Sequence, residues 1–400
     1  MRTAFKVRVY PTPGQAAMLN RTFGCVRLVW NTVLAWRRAR YRAEGVTTSY
    51  AQSDRYLSQL KRDGGHDFLY EVSSVPLQQA LRRQHMAFAN FFAGRAKYPR
   101  FNSRHGRQSA TYTRSAFRWD NGQLWLAKMG SPLQFVWSWP EIDLAVLDPT
   151  RVTISRDPDG RWYASLAIGS SDEPEHAPPT GSAVGVDLGV KDFAVYSTGE
   201  KIANVKHLER KARNLARYQR RMARKQRGSN NRAKARAKVA RAHTKVRDAR
   251  ADFLHRTSTR LVRDHDLIAI EDLNVRGMVR NRCLARAISD CGWGEFHRQL
   301  EYKTARAGRH LVVIDRWFPS SKTCNACGHL LATLSLSTRH WTCPGCGTRH
   351  DRDVNAATNI LAAGRAVSAC GADVSPQGSS LRRSARKQET SPARVGTPGR

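Results

Sequence analysis

Residues 183–190, AVGVDLGV, form an apolar run broken by a single acid, Asp187. The run LIAIEDLNV at 267–275 repeats this pattern around Glu271, and a third acid, Asp353, follows in HDRDVNAATNI. Each of the first two acids ends a run typical of a buried strand, so three remote segments can deliver carboxylates to one edge of a sheet. The pattern predicts a site for divalent cations.

Carboxylates in this number suit phosphodiester cleavage, in which two Mg²⁺ ions about 4 Å apart activate the attacking water and stabilise the leaving oxygen. Mg²⁺ takes one or two carboxylates together with water and substrate phosphate. Each acid alone also fits a structural role: Asp187 could shape a turn, Glu271 and Asp272 could cap a helix, and Asp353 could be the N-cap of the helix through Ala356. The three acids together favour a two-metal nuclease.

The composition indicates a folded protein with a polyanionic partner. The chain has 400 residues, 40% of them hydrophobic, which is enough for two or three domains with buried cores. A net charge of +36 repels itself unless nucleic acid neutralises it. No apolar run reaches about 18 residues and the N-terminus lacks a signal-peptide core, so we expect a soluble, cytoplasmic protein, associated with the nucleoid when it is bound to DNA.

The order of secondary structure suggests several domains. AFKVRVYP alternates as a half-buried strand does and precedes predicted helices at about 14–41, 50–62 and 75–92. Short strands separated by Gly, Pro and Asp at about 111–168 indicate a small β-barrel or sandwich. Residues 173–182 have the composition of a linker, and residues 371–400 that of a disordered tail.

Lys and Arg dominate the stretch from Val205 to Arg250, where a thin apolar stripe predicts two helices that break near Gly228. A solvated helix usually carries mixed charges, whereas charge of a single sign suits a phosphate backbone. We therefore expect nucleic-acid contacts from the cations that precede the break: Arg220, Arg221, Arg224, Lys225 and Arg227.

Two CxxC pairs, CNAC and CPGC, are separated by the fifteen residues 328–342, a spacing typical of a zinc ribbon. A redox pair or an iron–sulfur cluster is the alternative, but two matched pairs favour one structural Zn²⁺. His329, His340 and His350 lie close by and are expected at the surface or in contact with phosphate. The predicted ligands are Cys324, Cys327, Cys343 and Cys346.

The chain resembles the TnpB, or OrfB-type, proteins of insertion sequences, which are small relatives of type V CRISPR effector nucleases. The motifs that carry the resemblance span nearly the whole chain, among them KVRVYPTPGQ, FANFFAGRAKYPRF, GVDLGVKDFAV, IEDLNVRGM, FPSSKTCNACG, WTCPGCG and HDRDVNAATNI. The resemblance implies a multidomain α/β plus α+β protein. A RuvC-like RNase H fold with an inserted four-cysteine zinc ribbon would follow a wedge β-barrel, and the barrel would carry a helical recognition insertion.

The resemblance also suggests domain boundaries. The expected segments are the first wedge strand at 1–14, the recognition domain at 15–100, the wedge barrel at 101–172, the nuclease domain at 183–317 with basic helices at 205–265, the zinc ribbon at 318–350 and the last nuclease motif at 351–370.

By this resemblance, Asp187, Glu271 and Asp353 are the catalytic, Mg²⁺-binding acids. Asp351 competes with Asp353 in HDRD, and Asp353 is chosen because it stands in the acid position before x-Asn-Ala-Ala. A transposon-derived guide RNA would direct cleavage of double-stranded DNA beside a short adjacent motif. Tyr50 and Gln78 are candidates to read that motif, since a Gln amide can contact adenine through two hydrogen bonds.

Two other functions compete with guided cleavage. A regulator could bind guide and DNA without cutting, although the complete acid set argues against it. A transposition accessory protein or strand-transfer enzyme is the other alternative, with a companion transposase as a further candidate partner. No tyrosine nucleophile near a His-x-His metal site appears in the sequence, so cleavage without joining is favoured.

Overall fold

The structure is a computed structural model, and it describes residues 2–140, 142–169, 177–335 and 337–369. The chain divides into two compact units: Met1–Glu175 with Val205–Leu254, and His176–Asn204 with His255–Arg400. The predicted disordered tail and residues 173–176 of the predicted linker lie outside the described residues. None of the described helices is long and apolar enough to span a bilayer.

Three helices form the first part of the first unit. They are α1 (Pro13–Glu44), α2 (Tyr50–Arg62) and α3 (Ser74–Phe92). Helix α1 begins where Thr12 and Gln15 form a capping box, and it ends at Gly45, whose φ of 67° favours glycine. The helices predicted from the sequence are confirmed, with ends within a few residues of those expected.

The sheet of the first unit is antiparallel and has the strand order β2-β6-β7-β1-β5. Its strands are β1 (Arg2–Val9), β2 (Gln108–Thr113), β5 (Phe135–Val136), β6 (Pro149–Arg156) and β7 (Trp162–Gly169). A separate hairpin is formed by β3 (Phe117–Asp120) and β4 (Gln123–Leu126). The described edge strands β2 and β5 do not pair with each other, so closure into the predicted barrel is not confirmed.

Strand β1 pairs along its whole length with β7, from Arg2 opposite Gly169 to Val9 opposite Trp162. The three helices are therefore an insertion between β1 and the remaining strands, as the resemblance implied. Side chains from both parts share one core, which includes Val7, Phe23, Leu77, Tyr112 and Leu166. Burial of these apolar groups joins the helices to the sheet.

The charge-rich stretch forms α4 (His207–Ala223) and α5 (Asn230–Asp264), so the predicted break near Gly228 is confirmed. Helix α5 begins in the first unit and ends in the second. Within the first unit, the buried carboxylate of Asp157 in the β6–β7 turn accepts a hydrogen bond from Arg247 of α5 at 2.8 Å. This ion pair fixes the first half of α5 to the sheet.

The second unit contains a mixed sheet with the order β10-β9-β8-β11-β12. Its strands are β8 (Ala183–Leu188), β9 (Asp192–Tyr196), β10 (Lys201–Ala203), β11 (Leu267–Glu271) and β12 (His310–Ile314). The first three are antiparallel, whereas β8, β11 and β12 are parallel. A mixed sheet with helices agrees with the α/β part of the predicted fold class.

The second unit contains further helices and strands besides this sheet. They are α6 (Val275–Met278), α7 (Ala285–Cys291), α8 (Trp293–Ala307), β13 (His340–Thr342), β14 (Arg349–Asp351) and α9 (Arg352–Ala369). Strands β13 and β14 form an antiparallel hairpin, and β14 leads directly into α9. The ribbon and the last helix are thus continuous in the chain.

The second half of the predicted linker is tied to the second unit. The amides of Thr180 and Gly181 donate to the carboxylate of Asp266, and Arg309 donates to the carbonyl of Pro178. Arg309 also forms an ion pair with Asp266. Residues 177–182 are therefore an ordered lead into β8, in contrast to the linker that their composition predicted.

Helix α9 lies against β8 with no room for a side chain at Gly185. A Cβ atom built there would be 2.0 Å from the carbonyl oxygen of Ala357 and 2.6 Å from the amide nitrogen of Leu361. A second close approach occurs at Gly364, whose Cβ would be 2.5 Å from that of Ala269 in β11. The two glycines let the helix backbone approach both strands.

Gly185→Ala should destabilise the second unit by about 3 kcal/mol, because the added methyl group meets backbone atoms that cannot move independently. The free energy of unfolding is measured by urea denaturation of the full chain. A second measurement, limited proteolysis, reports how well the second unit is protected from cleavage. Gly294→Ala is the matched control, since Gly294 is exposed on α8 and has nothing within 4 Å of its would-be Cβ. Equal unfolding midpoints for the two variants would contradict the packing argument.

Candidate metal centres and nucleic-acid surface

Asp187 and Glu271 lie side by side at the carboxyl ends of two parallel strands. Val186 of β8 pairs with Ile270 of β11, so each acid is one residue beyond the last pair in register. Neighbouring strands are about 4.8 Å apart, and residues in register point to the same face. The prediction that these acids meet at one sheet edge is confirmed, and because Asp187 belongs to β8, its role in shaping a turn is excluded.

The charges of Glu271 and Asp353 both act on Asp187. Desolvation, followed by the charges of Glu271 and Asp353, raises the pKa of Asp187 to about 7. Burial also raises the pKa of Glu271, against a hydrogen bond that Ser320 Oγ donates to its carboxylate. Since both charges reach Asp187, the structure brings all three predicted acids into one neighbourhood.

Helix α9 places Asp351 and Asp353 in different roles. Asp351 Oδ1 accepts from the amides of Asp353 and Val354 at 3.0 and 3.2 Å, which is the geometry of a helix cap. Lys201 pairs with the other oxygen of Asp351 at 2.6 Å. The alternative that Asp353 is the N-cap is therefore wrong; its carboxylate lies 3.3 Å from Arg339.

The residue after Glu271 does not cap a helix either. Asp272 forms an ion pair with Arg316, and the side chain of Asn274 caps α6 by accepting from the amide of Gly277. The structure thus removes the simple capping roles that each acid alone could have had. What remains for Asp187, Glu271 and Asp353 is a group of oxygen ligands of the kind that Mg²⁺ prefers.

The sulfur atoms of both CxxC pairs converge on one point. All four lie within 4.8 Å of one another. Tetrahedral zinc with bonds of about 2.3 Å requires sulfur separations of about 3.8 Å, so the thiolates fit Zn²⁺. Two of the separations are 3.7 Å, from Cys324 to Cys346, and 3.6 Å, from Cys327 to Cys343. Among the described residues, these four thiols are the metal-ligand group whose atoms all lie within 4.8 Å of one another.

The histidines near the ribbon divide into two kinds. His329 and His340 are exposed, as expected. His350 is buried, so its predicted surface position is wrong: its ring packs on Trp341, and its Nε2 lies 3.1 Å from Cys324 Sγ. Burial lowers the pKa of His350 and so favours the neutral ring, whose Nε2–H tautomer can donate to Cys324 Sγ.

A cavity of about 410 Å³ in the second unit adjoins one of the acids, Glu271. Glu271 forms part of its lining, and three basic side chains, Arg276, His297 and Arg316, form another part. These basic residues are remote in sequence, and only Arg276 lies in a motif quoted above, IEDLNVRGM, so their common position depends on the tertiary fold. A cavity with a carboxylate on one wall and basic side chains on another suits a phosphate next to a metal site.

The predicted nucleic-acid residues of the first unit are accessible. Arg220 and Arg221 lie in the last turn of α4, and the other three cations follow in the turn before α5. All five are exposed, and within the described part of the chain none of them pairs with an acid. Arg232 orders the turn by donating to the carbonyls of Met222 and Lys225.

Tyr50 and Gln78 are partly buried on α2 and α3. The Tyr50 ring packs against the first-unit core and lies 5.4 Å from the Arg82 guanidinium. The structure shows no site that assigns either residue to base reading, so that role stays a prediction.

The second unit is an α/β domain with Asp187 and Glu271 at one edge of its mixed sheet and a cluster of four cysteines that could hold a metal ion. Family models match three segments: OrfB_IS605, described as "Probable transposase", at 166–282; "Cas12f1-like, TNB domain" at 293–360; and a "Helix-turn-helix domain" of OrfB_IS605 at 1–45. In the last segment the structure has a strand and the single long helix α1.

Two relatives match this chain over nearly their whole length. The chain is 55% identical to a "Putative RNA-guided DNA endonuclease" of Streptomyces pristinaespiralis, over 100% of this chain and 98% of the relative. It is 33% identical to the "Putative RNA-guided DNA endonuclease InsQ" of Escherichia coli K12, over 92% and 94%. The protein therefore belongs to the TnpB family of insertion-sequence proteins.

A solved structure shows the same fold at low sequence identity. The Cas12f1 chain in a complex with single guide RNA and target DNA is 12% identical and covers 90% of this chain and 98% of its own length, with a TM-score of 0.54. This match supports the overall fold.

Asp187→Asn should stabilise the zinc-loaded protein in the absence of Mg²⁺, by on the order of 2 kcal/mol at pH 8. The pKa of Asp187 is raised from 3.8 to about 7, so its ionised form destabilises the folded state above pH 7. Below about pH 4 the carboxyl is neutral in both states and the gain disappears. Thermal unfolding between pH 4 and pH 8 measures this difference.

The control for this prediction is Asp264→Asn, at an exposed acid whose pKa Arg263 lowers. It should give no stabilisation at pH 8. If Asp187→Asn and its control unfold at the same temperature throughout this pH range, the raised pKa of Asp187 is contradicted.

Proposed function

We propose that this protein is an RNA-guided DNA endonuclease that cleaves double-stranded DNA beside a short transposon-adjacent motif. The observation that carries the proposal is the convergence of Asp187, Glu271 and Asp353 from three remote segments. Burial first, and then the charges of Glu271 and Asp353, raise the pKa of Asp187. The names of the full-length relatives give the same activity. We place the reaction in the bacterial cytoplasm, at the nucleoid.

The three acids are proposed to hold two Mg²⁺ ions. Bound Mg²⁺ supplies a Lewis acid for the scissile phosphate and activates water for attack. The protein's own contribution is to bring the carboxylates together at a fixed sheet edge, with Arg276 and Arg316 on the adjoining cavity wall to attract the phosphate. One structural Zn²⁺ is proposed at the four thiolates.

The domain boundaries drawn from the sequence are kept as part of the proposal. Strand β1 and residues 101–172 form the wedge, with the recognition helices at 15–100 inserted between them. Residues 183–317 and 351–370 form the nuclease domain, and residues 318–350 form the ribbon. The guide RNA lies on the basic surface and supplies sequence specificity by base pairing, as in other guided nucleases. Tyr50 and Gln78 contact the adjacent motif.

A guide-bound regulator without cleavage is the second candidate. It needs the same basic surface and no metal-binding acids. The complete set of three carboxylates favours cleavage, and one of them, Glu271, accepts a hydrogen bond from Ser320. A transposition accessory role, with a companion transposase as partner, has no site among the described residues that speaks for it.

Asp187→Ala should abolish Mg²⁺-dependent cleavage and leave the copurified RNA unchanged, because the acid binds metal and lies in the second unit, away in sequence from the basic turn. The assay uses protein expressed with its flanking element DNA and a plasmid library randomised beside the target. Wild type should deplete a single short motif, and the control Asp264→Asn should do the same. Cleavage by Asp187→Ala would refute the catalytic assignment; bound RNA without cleavage by wild type would favour the regulator.

Replacing all five exposed cations at 220, 221, 224, 225 and 227 by Gln should weaken RNA binding. Each lost phosphate contact should reduce the slope of log affinity against log salt by about 0.7 for single-stranded RNA. Filter binding between low and moderate salt measures the slope. A variant with Lys at all five positions is the control and should keep the slope; an unchanged slope in the Gln variant would place the RNA elsewhere.

A further inference from the structure

Two buried asparagines of α9 hold the segment that leads into the zinc ribbon. Asn359 Nδ2 donates to the carbonyl oxygens of Ser320 and Thr323 at 2.8 and 2.7 Å. Asn355 Nδ2 donates to the carbonyl of Thr323 at 2.8 Å and to that of Ser320 at 3.4 Å. Both asparagines are nearly inaccessible, at 2% exposure for Asn355 and 7% for Asn359. We call Asn355 and Asn359 the asparagine clamp.

The clamp also contacts the ribbon. The side-chain oxygen of Asn355 accepts from the amide of Asn325 at 3.0 Å, and Asn325 lies inside the first CxxC pair. The two donors and the acceptor of the Asn355 amide group are thus all satisfied by backbone groups of one segment. Cys324, a proposed zinc ligand, directly follows Thr323, so the clamp holds the backbone on both sides of the first thiolate.

The other end of the held segment contacts the acid site. Ser320 is buried, and its hydroxyl donates to Glu271 Oε1 at 2.5 Å. Helix α9 carries the clamp and also Asp353, two residues before Asn355. One helix therefore presents the third acid and, through the Ser320 segment, fixes the hydroxyl that orients the second acid.

We propose that Ser320 is a positioning residue for Glu271, and that the asparagine clamp makes the binding of Mg²⁺ at the acids depend on zinc in the ribbon. Zinc supplies folding free energy to a ribbon of this kind, so its loss releases Cys324 and the backbone that the clamp holds. Ser320 then no longer fixes the Glu271 carboxylate. The structural zinc thereby regulates the affinity of the acid site for Mg²⁺.

This inference rests on the proposed function only for its effect on cleavage. The effect on divalent-cation binding stands without any DNA, since the contacts link a thiolate site to a carboxylate site within one unit. Partners that orient a metal-binding group change metal affinity by about 10- to 100-fold when they are removed. We expect the lower end of that range, because Ser320 orients one of three acids.

The first test compares Ser320→Ala with Ser320→Thr in the full-length, zinc-loaded protein. Binding is followed by Mn²⁺ titration with electron paramagnetic resonance, in which bound Mn²⁺ loses the signal of the free ion. Ser320→Ala should weaken Mn²⁺ binding by about tenfold, and Ser320→Thr should restore it because it keeps the hydroxyl. The zinc content should stay at one ion per chain in both variants. Equal affinity in wild type and Ser320→Ala, or no rescue by Ser320→Thr, would overturn the positioning role.

The second test addresses the clamp. Asn359→Leu keeps the approximate volume of the side chain and removes its donors. It should weaken Mn²⁺ binding, although the hydrogen bonds of Asn359 go to Ser320 and Thr323 and not to the three acids. Amide hydrogen exchange at 320–323 should increase in the same variant. Thr358→Ser, at the neighbouring residue, whose hydroxyl donates to Val354 within α9, is the control and should change neither readout.

The third test removes zinc from wild type and repeats the titration. Zinc-free protein should bind Mn²⁺ at the acids about tenfold more weakly, and returned Zn²⁺ should restore the affinity. An unchanged affinity without zinc would overturn the coupling. If the three tests give the expected results and wild type cuts no DNA, the coupling stands and the nuclease proposal fails. If wild type cuts DNA and zinc removal leaves the Mn²⁺ affinity unchanged, the nuclease proposal stands and the coupling fails.

Discussion

The close packing of α9 on the second-unit sheet is the contact on which the acid site depends. At Gly185 the helix backbone occupies the space of a side chain, and at Gly364 the strand residue Ala269 takes the corresponding place. These two contacts fix how far α9 can approach β8 and β11. Since Asp353 lies in the first turn of α9, the same contacts set its distance from the acids that end those strands.

That packing brings together charges that repel one another. A folded state that raises the pKa of Asp187 to about 7 gives up stability to do so, because an isolated acid at the surface keeps its ordinary pKa. The Ser320 hydroxyl and the guanidinium of Arg339 offset part of this repulsion. Functional sites are where such strain is retained, and divalent cations are the ligands that relieve it.

Local patterns made part of this arrangement predictable, whereas the features that were missed depend on long-range contacts. Capping residues mark the ends of α1, apolar runs ending in Asp187 and Glu271 mark two strands, and paired CxxC motifs mark the ribbon. By contrast, Ser320 contacts Glu271 across 49 positions, and no local signal separates it from the serine that follows it in FPSSKTC. His350 packs on Trp341 across the β13–β14 hairpin, and Asp351 caps α9 because β14 runs without a loop into that helix.

The distribution of charge explains how one chain can hold both a polyanion and an acid cluster. Residues 205–254 contain 18 of the 68 Lys and Arg residues and only 3 of the 32 Asp and Glu residues. The first unit places these cations on two helices, whereas the acid site is built wholly from the second unit. Because no residue belongs to both groups, the cations and the acids can be altered by separate substitutions.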